Sequence, residues 1–334
     1  MKRGIVAAGN WIVDRVKMID RWPGEGELCN ILEQTHSAGG GPCNVLFDLA
    51  AMECDIPLYA CGVLGDDEDG QYLLSQIRTK GIDDRYMKVS KSASTSYTDV
   101  MTVRFNGRRT FFHNRGANAE LGYHHFGPVN VPARLFYLAY LLLLDELDRQ
   151  DAEFGTVAGR VLSEMSRRGY KTVVDVVSED SKKFQETVLP VLPHIDYLVI
   201  NEVEAGACKG VGVRRSDGRI DVEQLVMCGR FLLDSGVREL IVIHYPEGAL
   251  ALEKGGVVHQ RPSCRISPQD IVGSVGAGDA FCAGILYGIH EAMSVSDMLD
   301  LASASAWFNL QSATASEGAP TLKRIREHLK NGQS

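Results

Sequence analysis

The residues best suited to chemistry lie in one glycine-rich segment, Gly273-Ser274-Val275-Gly276-Ala277-Gly278-Asp279, which leads into a helix-like run. A glycine turn that opens a helix directs several backbone N–H groups at one point, and the helix dipole favours negative charge there. We therefore predict an anion hole at Gly276, Ala277 and Gly278. Asp279 falls in the first helical turn, where a carboxylate can accept a proton from an attacking hydroxyl. The alternative is an ordinary glycine loop with Asp279 as a helix cap.

A second glycine-rich segment, Gly39-Gly40-Gly41-Pro42-Cys43-Asn44, also precedes a helical pattern. Glycine lets the backbone approach a ligand closely, and the Asn44 amide offers both a donor and an acceptor to sugar hydroxyls. Gly40, Gly41 and Asn44 are therefore candidate substrate-binding residues. By itself the segment is equally compatible with a flexible turn before a capped helix.

Polar residues also follow two predicted strands. Asn201 and Glu204 come directly after the apolar run Tyr197–Ile200, at the strand end where ligands bind in parallel sheets. They could hold magnesium through water, since magnesium keeps much of its hydration. The alternative is an Asn cap with acidic residues in the first helical turn. Asp14, five residues after Gly9, is either a ligand contact or a turn residue.

Strands and helices must alternate to position these residues, and the sequence has that pattern. Fully apolar strands separated by helices are typical of a parallel sheet covered on both faces. The predicted strands are Gly4–Ala8, Leu58–Val63, Leu135–Leu144, Thr172–Val177, Tyr197–Ile200 and Glu239–Ile243. The predicted helices are Cys43–Met52, Gly70–Lys80, Gly155–Arg168, Val222–Ser235, Ala277–Glu291, Ser296–Asn309 and Pro320–Lys330. We predict the α/β class and a single domain over residues 1–334.

Two segments, about 11–37 and 94–117, interrupt the alternation. In the second, apolar and polar residues alternate on both sides of Asn106-Gly107, a strong hairpin signal. These segments predict a small sheet outside the main one. A small sheet over the end of a parallel sheet would act as a lid that excludes water from reactive phosphate.

Composition narrows the possible partners. The chain has 334 residues, of which 45% are hydrophobic and 23% charged, and a formal net charge of -8. This balance argues against nucleic acid or an anionic membrane as the main partner. The longest apolar run, Leu135–Leu144, is shorter than the roughly 20 residues of a membrane helix. The segment Met1-Lys2-Arg3 superficially suggests a signal peptide, but Asn10 and Asp14 interrupt the apolar part that follows, so we predict a cytoplasmic protein. P-loop, dinucleotide and hydrolase-elbow motifs are absent.

Taken in order, these motifs resemble the ribokinase-like (PfkB) carbohydrate kinase family, nearly from end to end. Gly39–Asn44 and Gly276–Asp279 resemble the two family signatures, and Asn201 with Glu204 matches the N-x-x-E motif associated with magnesium and phosphate. Asn106–Thr110 is similar to the lid hairpin. The resemblance implies a three-layer sandwich with a central mostly parallel sheet and a small β lid.

The resemblance also implies an activity: a sugar kinase that transfers the γ-phosphate of ATP to a hydroxyl of a small carbohydrate, with magnesium. By the resemblance, Asp279 is the catalytic base, and further residues contact the sugar, the nucleotide and the metal. The implied sugar contacts are Asp14, Gly40, Gly41 and Asn44; the nucleotide contacts Asn201, Gly248 and Ser303; and the magnesium residues Asn201 and Glu204. The family's lid sheets often pair into dimers, so a homodimer through the lid is possible.

The chain departs from the family pattern at two loops. Gly273 stands where the family usually has an Asp that helps to hold a potassium-like ion, so activation by a monovalent cation stays open. The nucleotide loop Ile243–Gly248 keeps only its last glycine. His113 and Arg115 on the lid, and Asp145 after a strand, are weaker substrate candidates. The alternatives are a nucleoside or sugar-phosphate kinase, or a non-catalytic regulator that binds sugar or nucleotide.

Overall fold

The computed structural model describes residues 3–178 and 183–332. Its strands are β1 (Ile5–Gly9), β2 (Ile12–Ile19), β3 (Ile31–Gly39), β4 (Leu58–Gly65), β5 (Asp83–Ser90), β6 (Tyr97–Val103), β7 (Arg109–Asn114), β8 (Leu135–Leu141), β9 (Gln150–Asp151), β10 (Gly155–Thr156), β11 (Lys171–Val176), β12 (Tyr197–Asn201), β13 (Leu240–Tyr245), β14 (Gly248–Glu253) and β15 (Val258–Pro262). Its helices are α1 (Gly41–Ala51), α2 (Glu68–Thr79), α3 (Asp145–Asp148), α4 (Val157–Arg167), α5 (Glu202–Lys209), α6 (Val222–Asp234), α7 (Ala277–His290), α8 (Val295–Asn309) and α9 (Leu322–Gly332).

The main sheet has nine strands in the order β15-β14-β13-β12-β11-β8-β1-β4-β5. The strands from β5 to β13 pair in parallel, and β14 and β15 add an antiparallel edge. The mixed α/β class and the mostly parallel sheet predicted from the sequence are therefore confirmed. The chain runs from β1 to β4 on one side and later from β8 to β11 on the other. The direction in which successive strands are added to the sheet therefore reverses between β1 and β8. A crevice opens at such a point, at the carboxyl ends of the strands.

Alternation of side chains along the strands fills two hydrophobic layers. In β8, Phe136 and Leu138 belong to the layer under α4, α5 and α6, whereas Leu135 and Tyr137 belong to the layer under α1, α7 and α8. Because successive side chains of a strand point to opposite faces, a continuously apolar strand can pack against helices on both sides. All four side chains are fully buried.

Strand β8 is shorter than the sequence suggests. The predicted strand Leu135–Leu144 ends at Leu141, and Leu142 has a left-handed φ of 80°. The Asp148 carboxylate accepts hydrogen bonds from the backbone N–H groups of Leu142 (3.1 Å) and Leu144 (3.0 Å), which turns the chain away from the sheet. Leu142 and Leu144 remain buried because they pack into the core from this turn.

A separate four-stranded sheet has the order β3-β2-β6-β7 and is called the small sheet below. Strands β6 and β7 form an antiparallel hairpin around Asn106-Gly107, where Gly107 has the positive φ (67°) that such a turn needs. Strand β2 pairs with β6 in parallel and with β3 antiparallel. Across residues 3–178 and 183–332, no helix is both long and apolar enough to cross a membrane.

Candidate active site

A cavity of about 560 Å³ opens at the crevice between β1 and β8 and is called the first cavity. The main sheet supplies its floor and the small sheet supplies one wall. Its lining includes Asn10 after β1, Asp14 on β2, Gly40 and Asn44 at the start of α1, Thr98 and His113 on the small sheet, Arg115, Tyr140 on β8, and Gly276 and Asp279 at the start of α7. The volume suits a small organic ligand.

Glycines at the start of α1 allow the walls of the first cavity to approach one another. Gly40 has φ 92°, and a Cβ atom on it would lie 2.1 Å from the Asn10 carbonyl oxygen. A Cβ atom on Gly41 would lie 2.8 Å from the Tyr140 ring. No other residue type fits at either position without a shift of neighbouring atoms. Both predicted substrate glycines thus bring α1 against the strand ends that carry Asn10 and Tyr140.

Asp279 lies at the bottom of the first cavity and is buried. Its Oδ2 atom accepts a hydrogen bond from Asn44 Nδ2 (2.8 Å), and its Oδ1 atom accepts one from the Tyr140 hydroxyl. Burial raises the pKa of Asp279 to about 6, although both hydrogen bonds act in the opposite direction. A carboxyl group with this pKa is largely ionised at neutral pH and still binds a proton readily, which suits a general base.

Asp14 faces the same cavity from β2. Burial and, to a smaller extent, the negative charge of Asp279 together raise the pKa of Asp14 to about 7. A Cβ atom on Gly39 would lie 2.2 Å from Asp14 Oδ2, so a glycine at that position makes room for the carboxyl group. The two carboxyl groups of the cavity therefore influence each other's ionisation.

Two amide oxygens in the first cavity lack hydrogen-bond donors. Asn10 Oδ1 and Asn44 Oδ1 are buried and have no partner within the described part of the chain. The backbone that carries Asn10 is held by Asn118, which accepts from the Trp11 N–H (3.1 Å) and donates to the Trp11 carbonyl (3.0 Å). Because a buried polar atom without a partner is costly, these oxygens favour a ligand that donates hydrogen bonds.

The predicted anion hole lies at the start of α7. Gly276 precedes the helix with φ 79° and gives no side-chain cap, so the first backbone N–H groups have no intrahelical acceptor. A Cβ atom on Gly276 would lie 2.3 Å from the Ala315 carbonyl oxygen. Both the left-handed conformation and the close packing require glycine. The Ala277 N–H donates a long hydrogen bond to the Ser274 carbonyl oxygen (3.4 Å), and the positive end of the helix dipole lies next to Asp279, as an anion site needs.

A second cavity of about 400 Å³ adjoins the first at this helix start. It shares Tyr140, Val177, Ser178, Gly276 and Asp279 with the first cavity and adds Asp175, Asn201, Glu204, His244, Ser274 and Gly278. The two cavities therefore meet at the predicted anion hole and the predicted base.

Asn201 and Glu204 cap α5 reciprocally in the second cavity. Asn201 Oδ1 accepts from the Glu204 N–H (2.9 Å), and Glu204 Oε2 accepts from the Asn201 N–H (2.8 Å). Ser178 donates to Glu204 Oε1 (2.9 Å). Burial raises the pKa of Glu204 to about 7. The arrangement is a capping box, and it also places a buried carboxylate beside the helix start of α7.

Asp175 and His244 complete the second cavity. Burial raises the pKa of Asp175 well above its usual range, and the charges of Glu204 and Asp279 act in the same direction. Burial lowers the pKa of His244 to about 4, so its imidazole is neutral at neutral pH. A Cβ atom on Gly278 would lie 3.3 Å from His244 Cε1, which places the imidazole directly against the first turn of α7.

Of the remaining candidate residues, some lie outside the two cavities and others line the first cavity. Gly248 begins β14 and Ser303 is buried in α8, and neither lines the two cavities. His113 lies in the first cavity, where its Nδ1 atom is 2.9 Å from Thr98 Oγ1. Arg115 also lines it and forms an ion pair with Asp145 (2.8 Å).

Several residues of the site were not proposed from the sequence, among them Asn10, Tyr140, Asp175 and His244. Asp175 had a usable signal, since a lone acidic residue near the end of an apolar strand points to the ligand edge of a parallel sheet. Tyr140 had no such signal, because the apolar residues after it extend the predicted strand beyond the observed end of β8 at Leu141.

The fold and the two adjoining cavities define an α/β small-molecule kinase. The family description that fits the chain is pfkB family carbohydrate kinase, matched over residues 2–322. The chain therefore belongs to that family, and it is an ATP-dependent sugar kinase.

Individual relatives are distant. The chain is 23% identical over 311 residues to a protein of Clostridium beijerinckii named 5-dehydro-2-deoxygluconokinase, covering 87% of this chain and 84% of the relative. Among solved structures, it is similar to the ribokinase of Arabidopsis thaliana complexed with ribose and ATP, with 21% identity, a TM-score of 0.78 and 99% coverage of both chains. A nucleoside kinase of Methanocaldococcus jannaschii has 16% identity and a TM-score of 0.77, with 99% coverage of both chains. These structures confirm the ribokinase-like fold.

Proposed function

We propose that this kinase binds its sugar in the first cavity and the phosphates of ATP in the second, with Asp279 as the general base between them. The observation that carries the proposal is the position of Asp279. It lines both cavities, it lies in the first turn of α7, and its pKa of about 6 leaves it ionised at neutral pH. A general base can act only where the hydroxyl of the acceptor lies next to the phosphate that it attacks.

Hydrogen-bond polarity supports a polyhydroxylated acceptor. The unpartnered oxygens of Asn10 and Asn44 and the carboxyl groups of Asp14 and Asp279 all accept hydrogen bonds, and sugar hydroxyls donate them. The chain's relatives named 5-dehydro-2-deoxygluconokinase suggest a keto sugar acid as one acceptor to test. Arg115 supplies a cation on the wall of the first cavity, which favours including acidic sugars beside neutral ones.

In the proposed reaction, the Asp279 carboxylate takes the proton of a sugar hydroxyl as its oxygen forms a bond to the γ-phosphorus of ATP. The bond from the γ-phosphorus to the oxygen that bridges it to the β-phosphate breaks, and ADP leaves with that electron pair. Gly276, Ala277 and Gly278 stabilise the charge of the transferred group through backbone N–H groups at the helix start. Asp14, Gly40, Gly41 and Asn44 position the sugar.

We propose Asn201 and Glu204 as the residues that hold magnesium through water. Both residues line the second cavity beside the predicted anion hole, and magnesium usually keeps several of its waters and takes few protein ligands. A bound magnesium ion would neutralise phosphate charge. Asn201, Gly248 and Ser303 are the proposed nucleotide contacts. Gly273 supplies no carboxylate for a monovalent cation, and a Cβ atom on it would lie 2.7 Å from the Ser312 carbonyl oxygen. Dependence on such a cation stays open.

A homodimer through the small sheet is also proposed. This sheet and its connecting loop expose several large apolar side chains, and Trp22 stacks on Phe112 with ring centroids 6.2 Å apart. Exposed apolar patches of this kind mark interaction sites. The chain's location in the cytoplasm stays a prediction from the sequence.

The test combines a substrate panel with Asp279→Asn. Neutral sugars, keto sugar acids, sugar phosphates and nucleosides are scored by ADP formation with and without magnesium. We expect turnover with a sugar, a loss of about 10²- to 10⁴-fold in kcat for Asp279→Asn, and unchanged ATP binding. Asp66→Asn, at an exposed carboxyl outside both cavities, is the matched control.

Three other outcomes would change the assignment. Retained turnover in Asp279→Asn would remove Asp279 as the base. Turnover of nucleosides or sugar phosphates alone would favour the corresponding kinase. Tight binding of sugar without any turnover would favour a regulator.

A further inference from the structure

We infer that Tyr140 is the positioning residue for the proposed base: its hydroxyl fixes the Asp279 carboxylate at the junction of the two cavities and keeps it ionised. The inference rests on the proposed function of Asp279. Tyr140 lines both cavities, and its hydroxyl donates a hydrogen bond to Asp279 Oδ1. It comes from β8, whereas Asp279 comes from α7, so the contact fixes the helix start relative to the sheet.

Tyr140 and Asn44 divide the two oxygens of Asp279 between them. Oδ1 accepts from the Tyr140 hydroxyl and Oδ2 accepts from Asn44 Nδ2. Two donors on different atoms prevent rotation of the carboxylate about its Cβ–Cγ bond. Each oxygen keeps a further lone pair for a substrate hydroxyl, since a carboxylate oxygen can accept more than one hydrogen bond. Asn44 is thus both a proposed sugar contact and a support for the base.

Gly41 explains why the tyrosine ring can occupy this place. A Cβ atom on Gly41 would lie 2.8 Å from Tyr140 Cε1 and 2.9 Å from its Cζ atom. The ring that carries the hydroxyl is therefore packed against the backbone at the start of α1. A packed ring has little freedom, so its hydroxyl is held where Asp279 needs it.

Burial of the base makes this donor important. Burial raises the pKa of Asp279, and the hydrogen bonds from Tyr140 and Asn44 lower it. Most titratable groups near Asp279 on neighbouring elements are also acidic, and the charge of Asp279 raises the pKa of three of them, Asp14 on β2, Asp48 on α1 and Asp175 on β11. The other groups are Glu204 on α5, the neutral His244 on β13 and the ion-paired Arg115 at the wall of the first cavity. Tyr140 thus acts against the effect of burial and favours the ionised form of the base.

Tyr140→Phe removes the hydroxyl and keeps the ring. We expect the acidic limb of the pH profile of kcat to move up by about one pKa unit, the size of a hydrogen bond to a charged group. The loss of kcat should be roughly tenfold below the wild-type pKa and much smaller at alkaline pH. Tyr137→Phe is the matched control, because Tyr137 lies on the same strand and its hydroxyl donates to Asp175 (3.3 Å) rather than to Asp279. It should leave the acidic limb in place.

A second readout does not need turnover. The side-chain carboxyl carbon of Asp279 is titrated by ¹³C NMR in the resting protein and assigned by its absence in Asp279→Asn. Tyr140→Phe should raise this pKa by about one unit, and Tyr137→Phe should not. A wild type without activity on any sugar would defeat the proposed function, yet this titration would still test the Tyr140 contact. An unshifted Asp279 titration, or an equal loss of kcat at every pH, would overturn the inference.

Discussion

Replacing Asp14 with Asn should make the protein more stable at alkaline pH while weakening its use of sugar. Burial and the charge of Asp279 raise the pKa of Asp14 from 3.8 to about 7. A carboxyl group whose pKa is higher in the folded than in the unfolded state stabilises the fold below its unfolded pKa. That stabilisation is lost as the pH rises through the folded pKa. The affected window therefore runs from about pH 4 to about pH 7.

The size of the effect follows from the shift. About three pKa units at 1.36 kcal/mol each correspond to roughly 4 kcal/mol in total, and roughly 2.5 kcal/mol of this is lost between about pH 5 and about pH 8. Because the cavity leaves part of Asp14 accessible to water, we expect a measured change of about 1 to 2.5 kcal/mol. Urea unfolding at both pH values measures the difference in free energy of unfolding between Asp14→Asn and the wild type.

Two further variants separate burial from function. Asp48→Asn replaces another buried carboxyl group, whose pKa burial raises well above its usual range and whose oxygens have no partner in residues 3–178 or 183–332. It should also gain stability with rising pH, without a change in the KM for sugar, because Asp48 lines neither cavity. The exposed Asp66→Asn should change neither property. Parallel pH dependence of stability in Asp14→Asn and the wild type would refute the reasoning.

Two other substitutions test the helix start and the second cavity. Gly276→Ala should reduce kcat at least tenfold and cost about 1 kcal/mol or more in unfolding, because it combines left-handed strain with a contact of 2.3 Å to the Ala315 carbonyl oxygen. Gly107→Ala is its control: φ is 67° there and nothing lies within 4 Å, so kcat should be unchanged. His244→Ala should raise the KM for ATP about tenfold and leave the KM for sugar unchanged, since His244 lines only the second cavity. Initial rates over a range of ATP and sugar concentrations check both; an altered sugar KM alone would contradict the assignment of His244.

Local chemistry explains which parts of the site were predictable. The glycines before α1 and α7 are recognisable from a few consecutive residues, because the conformation they allow is a local property. Asn201 and Glu204 are likewise neighbours in the chain, and their reciprocal capping follows from their spacing. The alternation of apolar strands and helices was sufficient to predict the parallel sheet, since a sheet that is buried on both faces requires apolar strands covered by helices.

Contacts between distant segments were not predictable. Tyr140 reaches Asp279 across 139 positions of the chain, and Asn44 reaches it across 235. Nothing in the sequence near Tyr140 indicates that β8 ends at Leu141, because the buried Leu142 and Leu144 continue the apolar run. The parallel pairing of β2 with β6 also joins segments that are far apart in the chain, and it depends on the packing of the whole small sheet.

The two carboxyl groups of the first cavity do not ionise independently. The negative charge of Asp279 raises the pKa of Asp14, and two donors, Tyr140 and Asn44, favour the ionised form of Asp279. Burial places the pKa of both groups near neutral pH, at about 6 for Asp279 and about 7 for Asp14. Each group can therefore occur with or without its proton under the conditions in which the proposed base acts. Because the two groups interact, their titration belongs to the pair, and a change at either residue alters the ionisation of both.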